Sequence, residues 1–263
     1  MRKITIIRSS GNELANQLWN YASIYAYSLE KGLALRNPAF FEYGEYFRMR
    51  STPSFLFKVI FFLPFKNYTK RKFALKRRIW RKVYGWYSGI VLFIHKKNVV
   101  TSGNEVYYLS SLKDTGNIYL DGWLFRNPIG LEKYHKEIKE YFRPRRDIED
   151  LVEKTIKEIR IKYNKVIGLH IRQGDYKVWR GGEYFLEQKR VREILDEYIS
   201  KFGIDKDKTC FFIASDGKIY ESHFSGLNVV VSTNNAVVDL FTLSSTDTII
   251  GSNSTFGTLK ETF

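Results

Sequence analysis

The sequence predicts an α/β protein with two halves and mostly parallel sheets. Three observations carry this expectation. Apolar strands alternate with helical periods through residues 151–263, the pattern of a doubly wound parallel sheet. A strand, a Gly-Asn turn and an amphipathic helix open the chain. Pro144, between a helical segment and RPRRD, marks a boundary that divides the chain into 1–144 and 145–263.

Taken in order, KITIIRS is short, β-branched and apolar, and Gly11-Asn12 follows at once, so it reads as a buried strand. In LANQLWNYASIYAYSLEKG apolar residues fall at 14, 18, 21, 22, 25, 26 and 29, a helical spacing that stops at Gly32. Residues 46–100 lack a clear period and are rich in aromatics and cations, which suggests an insertion over about 46–104. NIYLDGWL (117–124) returns to strand character, and GLEKYHKEIKEYF (130–142) is predicted as one amphipathic helix. In the second half, IEDLVEKTIKEIRI is helical, KVIGLHI a strand and EYFLEQKRVREILDEYISKF a long helix. KTCFFIAS and LNVVVST are strands, NAVVDLFTLSST a helix, DTIIGSN a strand, and STFGTLKETF begins a last helix.

At 263 residues, 44% hydrophobic and 16% aromatic, the composition is that of a folded chain. One cysteine, Cys210 in TCFFIA, excludes an intrachain disulfide framework and a clustered-thiol metal site, and reads as a buried structural thiol. MRKITIIRSS lacks the long apolar core of a secretion signal, and FLFKVIFFLPF (55–65) is broken by Lys58 and Pro64, so a cytoplasmic protein is expected. The net charge of +15 is localised. Between Glu45 and Glu105 stand fourteen Lys and Arg and no acidic residue, so the remainder is near neutral.

In an open parallel sheet, ligands bind outside the carboxyl ends of the strands. Three predicted strand ends are polar: HIRQGDY (170–176), ASDG (214–217) and GSNST (251–255). An Arg fork, hydroxyls and a helix N-terminus together suit a phosphorylated ligand. Each also has a plainer reading: Arg172 and Asp175 as an ion pair, His170 as a hydrogen-bonded strand residue, Ser215-Asp216-Gly217 as turn chemistry, Ser252 or Ser254 as an N-cap, and Asp239 as an acidic residue near a helix start. The four histidines stand at 95, 135, 170 and 223, away from metal-ligand spacing, and the nucleophile-elbow and P-loop patterns are missing.

In this setting the sequence resembles the inverting α-1,2-fucosyltransferases, chiefly the bacterial ones. LANQLWNYASIYAYSLEKG resembles that family's L-G-N-Q-M-F-Q-Y-A helix start, and LDGWLFRNP its D-G-Y-F-Q-S segment. HIRQGDY resembles H-x-R-R-G-D-Y, FFIASDGKIY the F-S-D-D strand, and DLFTLSSTDTIIGSNSTF the closing D-L-x-L-M-S block. The five blocks run in the family's order from residue 14 to 256. The resemblance implies a GT-B-like fold, GDP-fucose as donor and no metal. By carry-over Arg172 holds the donor pyrophosphate with Ser254 and Thr255, His170 and Asp239 lie on the nucleoside side, Asp216 belongs to the donor site, and Asn16 and Gln17 bring the first half against the donor. Asp175, or else Glu183, is the carboxylate base that the implied inverting transfer would use. The chain departs from the pattern at Gln173, where the family has a second Arg, at Ala15, at Gly217 and in STFGTLKETF.

Two further readings stand beside this one: a diverged, non-catalytic glycan- or nucleotide-binding protein, and a basic nucleic-acid-binding protein. For the segment 55–97 three readings compete. It can be a helical insertion with solvated cations, an attachment to an anionic membrane surface, or a clamp for nucleic acid, for which no recognised motif is present.

Overall fold

The computed structural model describes residues 1–9, 13–49, 74–112 and 116–251. The chain divides into two compact units, the first ending at Arg145 and the second starting at Arg146. The first unit runs β1 (Lys3–Arg8), α1 (Leu14–Lys31), β2 (Ala34–Arg36), α2 (Ala74–Ile94), β3 (Val99–Thr101), β4 (Tyr107–Tyr108), β5 (Ile118–Asp121), β6 (Phe125–Arg126), α3 (Pro128–Lys133) and α4 (His135–Tyr141). Its main sheet has the order β2-β1-β5-β3, all parallel, and β4 pairs with β6 in a small second sheet.

α1 stops at Gly32, whose left-handed φ of 59° lets its N–H turn back to the carbonyl of Leu29, as the sequence predicts. The buried face of α1 carries Leu18, Tyr21 and Ala22 against an aromatic cluster. Tyr21 meets Phe40 and Phe142 edge-on, with ring centroids 5.4 and 5.0 Å apart, and shares a 2.9 Å hydrogen bond with the Tyr141 hydroxyl. The segment 130–142 is two helices rather than one, broken at Tyr134. The break serves two anchors. Asn127 caps α3 and donates to Glu30 of α1, while α4 delivers Ile138 and the following Phe142 to the core.

The stretch 46–100 is more regular than the sequence suggests, because α2 is a helix of 21 residues within it. From Arg81 onward apolar residues lie on both the buried and the exposed face of this helix, so its period is masked. One face is pinned to the unit by polar contacts. Arg81 grips buried Glu42 with a two-pronged ion pair, Nε to Oε1 at 2.6 Å and Nη2 to Oε2 at 3.2 Å. Tyr84 donates to the Ile7 carbonyl and Ser88 accepts from Arg8. Arg81 is therefore structural rather than solvated, whereas Lys82, Lys96 and Lys97 are exposed. The opposite face leaves Trp86, Ile90, Phe93 and Ile94 exposed. Among the described residues no helix is long and apolar enough to cross a membrane.

The second unit runs α5 (Arg146–Lys162), β7 (Lys165–Ile171), α6 (Gln188–Phe202), β8 (Thr209–Ser215), β9 (Asn228–Val231), α7 (Ala236–Ser244) and β10 (Thr248–Gly251). The sheet order is β10-β7-β8-β9, again parallel throughout. Alternation in β7 and β8 fills both faces. Ile167, Leu169, Ile171, Phe211 and Ile213 meet Leu195 and Ile199 of α6, while Val166, Cys210, Phe212 and Ala214 meet Ile159 and Leu243 of α5 and α7. Each Val, Leu, Ile or Phe among them contributes about 1.5–3 kcal/mol on burial. Cys210 is buried, with its thiol pushed up to about 11 by burial, which is the structural thiol the sequence predicts.

α6 starts at Gln188 rather than at Glu183. The backbone explains the difference. Glu187 is extended, with φ −61° and ψ 145°, so the helix begins only after it, while Arg180, Gly181 and Gly182, ahead of Glu183, are left-handed with φ of 47°, 70° and 83°. Glu183 therefore lies exposed in the connection before α6.

Candidate functional site

The polar residues singled out in the second half gather along the carboxyl ends of β7, β8 and β9. Arg172 follows β7, Asp216 follows β8, and Asp239 stands on α7 beside the end of β9. Arg172 and Asp216 meet, with Nε 3.2 Å from Oδ2. The other oxygen of Asp216 accepts the backbone N–H groups of Gln173 at 2.7 Å and Gly174 at 3.0 Å. One carboxylate thus holds both the guanidinium and the backbone of the loop that carries it. Arg172 also lies over the Tyr176 ring, 5.5 Å from its centroid.

Two glycines allow this close join. A Cβ on Gly174 would stand 2.7 Å from the Asp216 carboxylate, and one on Gly217 would stand 2.6 Å from Cβ of Gln173. In the loops after β7 and β8, the backbone of each therefore lies against a side chain of the other. Gln173 faces inward: it is buried and its amide donates to the Leu186 carbonyl at 2.8 Å. Gln188, which the sequence did not flag, holds the far side. Its amide bridges the Lys218 carbonyl and the Tyr220 N–H at 2.8 and 2.9 Å.

His170, next to last in β7, lies buried between Ala214 of β8 and Gly251 of β10. Burial, reinforced by the positive charge of Arg172 and partly offset by Asp216, lowers its pKa to about 4, so the ring is neutral near pH 7. Asp239 is buried in the first turn of α7, where it accepts a hydrogen bond from the Ser232 hydroxyl. Asn235 caps the same helix, accepting from the N–H groups of Val237 and Val238. Ser232, which extends β9, is the partner that sequence reading missed.

The remaining sequence candidates distribute differently. Asp175 opens a short turn after the Arg172 loop, and its side chain, like Ser254 and Thr255, lies outside the described residues. Asn16 and Gln17 sit in the first turn of α1 in the other unit. Among the described residues no group of three or more His, Cys, Asp or Glu side chains is placed to hold a metal ion. Chemically, the edge offers a guanidinium with fixed orientation, a neutral imidazole and a helix N-terminus, which suits a phosphate-bearing ligand with an uncharged ring attached.

No family model matches the sequence, and no curated protein does either. Solved structures do. The chain is similar to the fucosyltransferase NodZ from Bradyrhizobium, with a TM-score of 0.58 at 15% identity, covering 99% of this chain and 91% of that one. NodZ α-1,6-fucosyltransferase soaked with GDP-fucose gives 0.57 at 15% identity over 99% and 92%. A variant of Arabidopsis thaliana FUT1 in complex with GDP gives 0.56 at 13% identity over 99% and 68%. The likeness is one of fold, and the fold is GT-B, built here from two units that each carry a parallel sheet between helices.

Proposed function

We propose that the chain is a glycosyltransferase that uses GDP-fucose and transfers fucose, with inversion, to a hydroxyl of a glycan acceptor. The observation that carries this reading is the Arg172–Asp216 join at the carboxyl edge of the second sheet. It fixes a guanidinium fork where open parallel sheets bind ligands. Departure of a diphosphate needs its growing charge met by preorganised donors, and Arg172 offers them without a metal. His170, neutral and buried beside Arg172, suits the uncharged base or ribose of a nucleoside better than a phosphate. Solved neighbours with GDP or GDP-fucose bound share the fold and support the same donor class.

Within this reading Arg172 holds the diphosphate, with Ser254 and Thr255 joining it, and Asp239 and Asp216 shape the donor side. Asn16 and Gln17 belong to the first unit's approach to the donor. Asp175 or Glu183 is the base carried over from the family pattern. The linkage we propose is α-1,2, from the five motif blocks. The acceptor we propose is a bacterial surface polysaccharide or a lipid-linked oligosaccharide.

That acceptor fits a protein held at the inner face of a membrane, and α2 supports the idea. Trp86, Ile90, Phe93 and Ile94 recur at helical spacing on its exposed face, with Lys82, Lys96 and Lys97 alongside. Aromatic and aliphatic side chains flanked by lysines match an anionic lipid surface, and a second copy, equally cationic, would be repelled.

The test of function is turnover against GDP-fucose, GDP-mannose and UDP-sugars, together with thermal shifts in GDP and a short oligonucleotide. Stabilisation by GDP with release of fucose supports the proposal. Stabilisation without turnover would instead identify a nucleotide-binding protein. Stabilisation by the oligonucleotide alone would point to nucleic acid.

A further inference from the structure

The Asp216 ion pair holds Arg172 at one atom, Nε, and a planar guanidinium held there can still pivot about that atom. A fork on a diphosphate needs the whole plane held. The second restraint stands in the same loop. Tyr176, in the short turn Asp175–Lys177, is 9% exposed and brings its ring against Arg172, with Cζ 5.5 Å from the ring centroid. The negative face of the ring attracts the guanidinium and blocks the pivot on that side. Arg172 keeps only 17% of its side chain exposed, so water screens the attraction weakly.

The turn that presents Tyr176 is fastened on both sides. Ahead of it, the Gly174 N–H donates to Asp216 at 3.0 Å. Behind it, the chain folds back on the turn. Gly182, with φ 83°, lies so close that a Cβ there would stand 3.2 Å from the Lys177 carbonyl oxygen. The Phe185 N–H donates to the Gly182 carbonyl at 2.9 Å, and Lys177 Nζ lies 5.6 Å from the Phe185 ring centroid. Tyr184, on the same returning segment, has its ring centroid 6.3 Å from that of Tyr176. The Tyr176 ring therefore has little room to swing away from Arg172. A tyrosine that served only to fill the core would join the apolar clusters on the faces of this sheet, and Tyr176 belongs to neither.

We propose that Tyr176 is a positioning residue for donor binding, whose ring and the Asp216 carboxylate together hold the Arg172 guanidinium in the plane that meets a diphosphate. The inference rests on the transferase reading above and deepens it, and every group in it belongs to the second unit. Asp216 fixes the position of the guanidinium through Nε, and Tyr176 fixes its tilt. The part of Tyr176 that acts is the face of the ring, so the hydroxyl is dispensable for this role.

The test is GDP binding by the full chain, read by titration calorimetry. Tyr176→Leu is expected to weaken GDP binding by about 3–30-fold, the span of a cation–π contact between its exposed and desolvated limits, and Tyr176→Phe to keep the wild-type value. The loss is expected to vanish in an Arg172→Ala background, where no guanidinium is left to orient. A residue that merely supports the fold would weaken binding in both backgrounds alike. Tyr176→Phe and Tyr176→pentafluoro-Phe share a shape and differ in the charge on the ring face, so the fluorinated ring should weaken GDP binding with the fold intact. Wild-type affinity in folded Tyr176→Leu would overturn the inference, as would equal losses in the two backgrounds. Should the leucine variant not fold, equal affinities in the two phenylalanine variants would overturn it. Failure of the wild-type protein itself to bind GDP would instead overturn the transferase reading.

Discussion

Arg172 and Asp216 form an ion pair across two adjacent strands, and the same aspartate also binds the backbone of the Arg172 loop. The geometry of the guanidinium is therefore set before any ligand arrives. Arg172→Ala is expected to weaken GDP binding by about 10–100-fold, the worth of a charge-assisted hydrogen-bond pair, and transfer by more. Arg172→Lys keeps the charge but loses the planar fork and the fixed Nε contact, so it should recover little of either. Titration calorimetry with GDP checks both. A lysine variant with wild-type affinity would show that charge alone suffices.

Gln173 occupies the place where the family pattern has a second arginine. Its buried amide bonds the Leu186 carbonyl, and its Cβ packs where Gly217 leaves no room to spare. Gln173→Arg is therefore expected to destabilise the fold by about 1–3 kcal/mol, with no gain in GDP affinity. Urea unfolding measures the loss. A stable variant with tighter GDP binding would mean the added guanidinium reaches the ligand side.

His170 links stability to pH. Its folded pKa of about 4 lies below the ordinary 6.5, so between these values the unfolded chain takes up a proton that the folded chain refuses. Stability therefore falls as pH drops through this window, by about 2 kcal/mol at pH 5 relative to pH 7. The contribution is intact above about pH 7 and fully lost below about pH 4. Replacing the ring by His170→Gln should flatten that part of the stability profile. Equal slopes in the two proteins between pH 7 and pH 5 would refute the assignment.

The exposed stripe on α2 makes a separate prediction. The protein should sediment with vesicles containing phosphatidylserine at low salt and release at high salt, because lysines supply about 1 kcal/mol each near an anionic surface. Trp86→Ser with Phe93→Ser should abolish sedimentation and leave GDP binding unchanged. Binding that survives the double substitution would place the contact elsewhere.

Much of the second unit was legible in the sequence for a simple physical reason. Strands such as VIGLHI and CFFIAS are buried on both faces and so read as unbroken apolar runs, with polar residues beginning where the sheet ends. α2 hid because it buries Tyr84 and Ser88 on one face and leaves apolar residues on the other, which removes the period. The late start of α6 depends on the extended backbone of Glu187, and a glutamate carries no signal for that conformation. The ion pair of Arg8 with Asp121, 3.9 Å apart, was missed because it follows a bulge between Ile6 and Arg8 in β1, and a one-residue register shift has no signature in residue type.

Arg180 is, among the described residues, the one non-glycine with a left-handed backbone, and Gly181 and Gly182 follow it in the same region. A third glycine would make the turn without strain, whereas arginine holds it at a cost of about 1–2 kcal/mol. The position therefore trades folding stability for a long cationic side chain on the loop between the Arg172 motif and α6. Engineering this protein for heat resistance would reach first for Arg180→Gly, and that is where robustness and activity should pull apart.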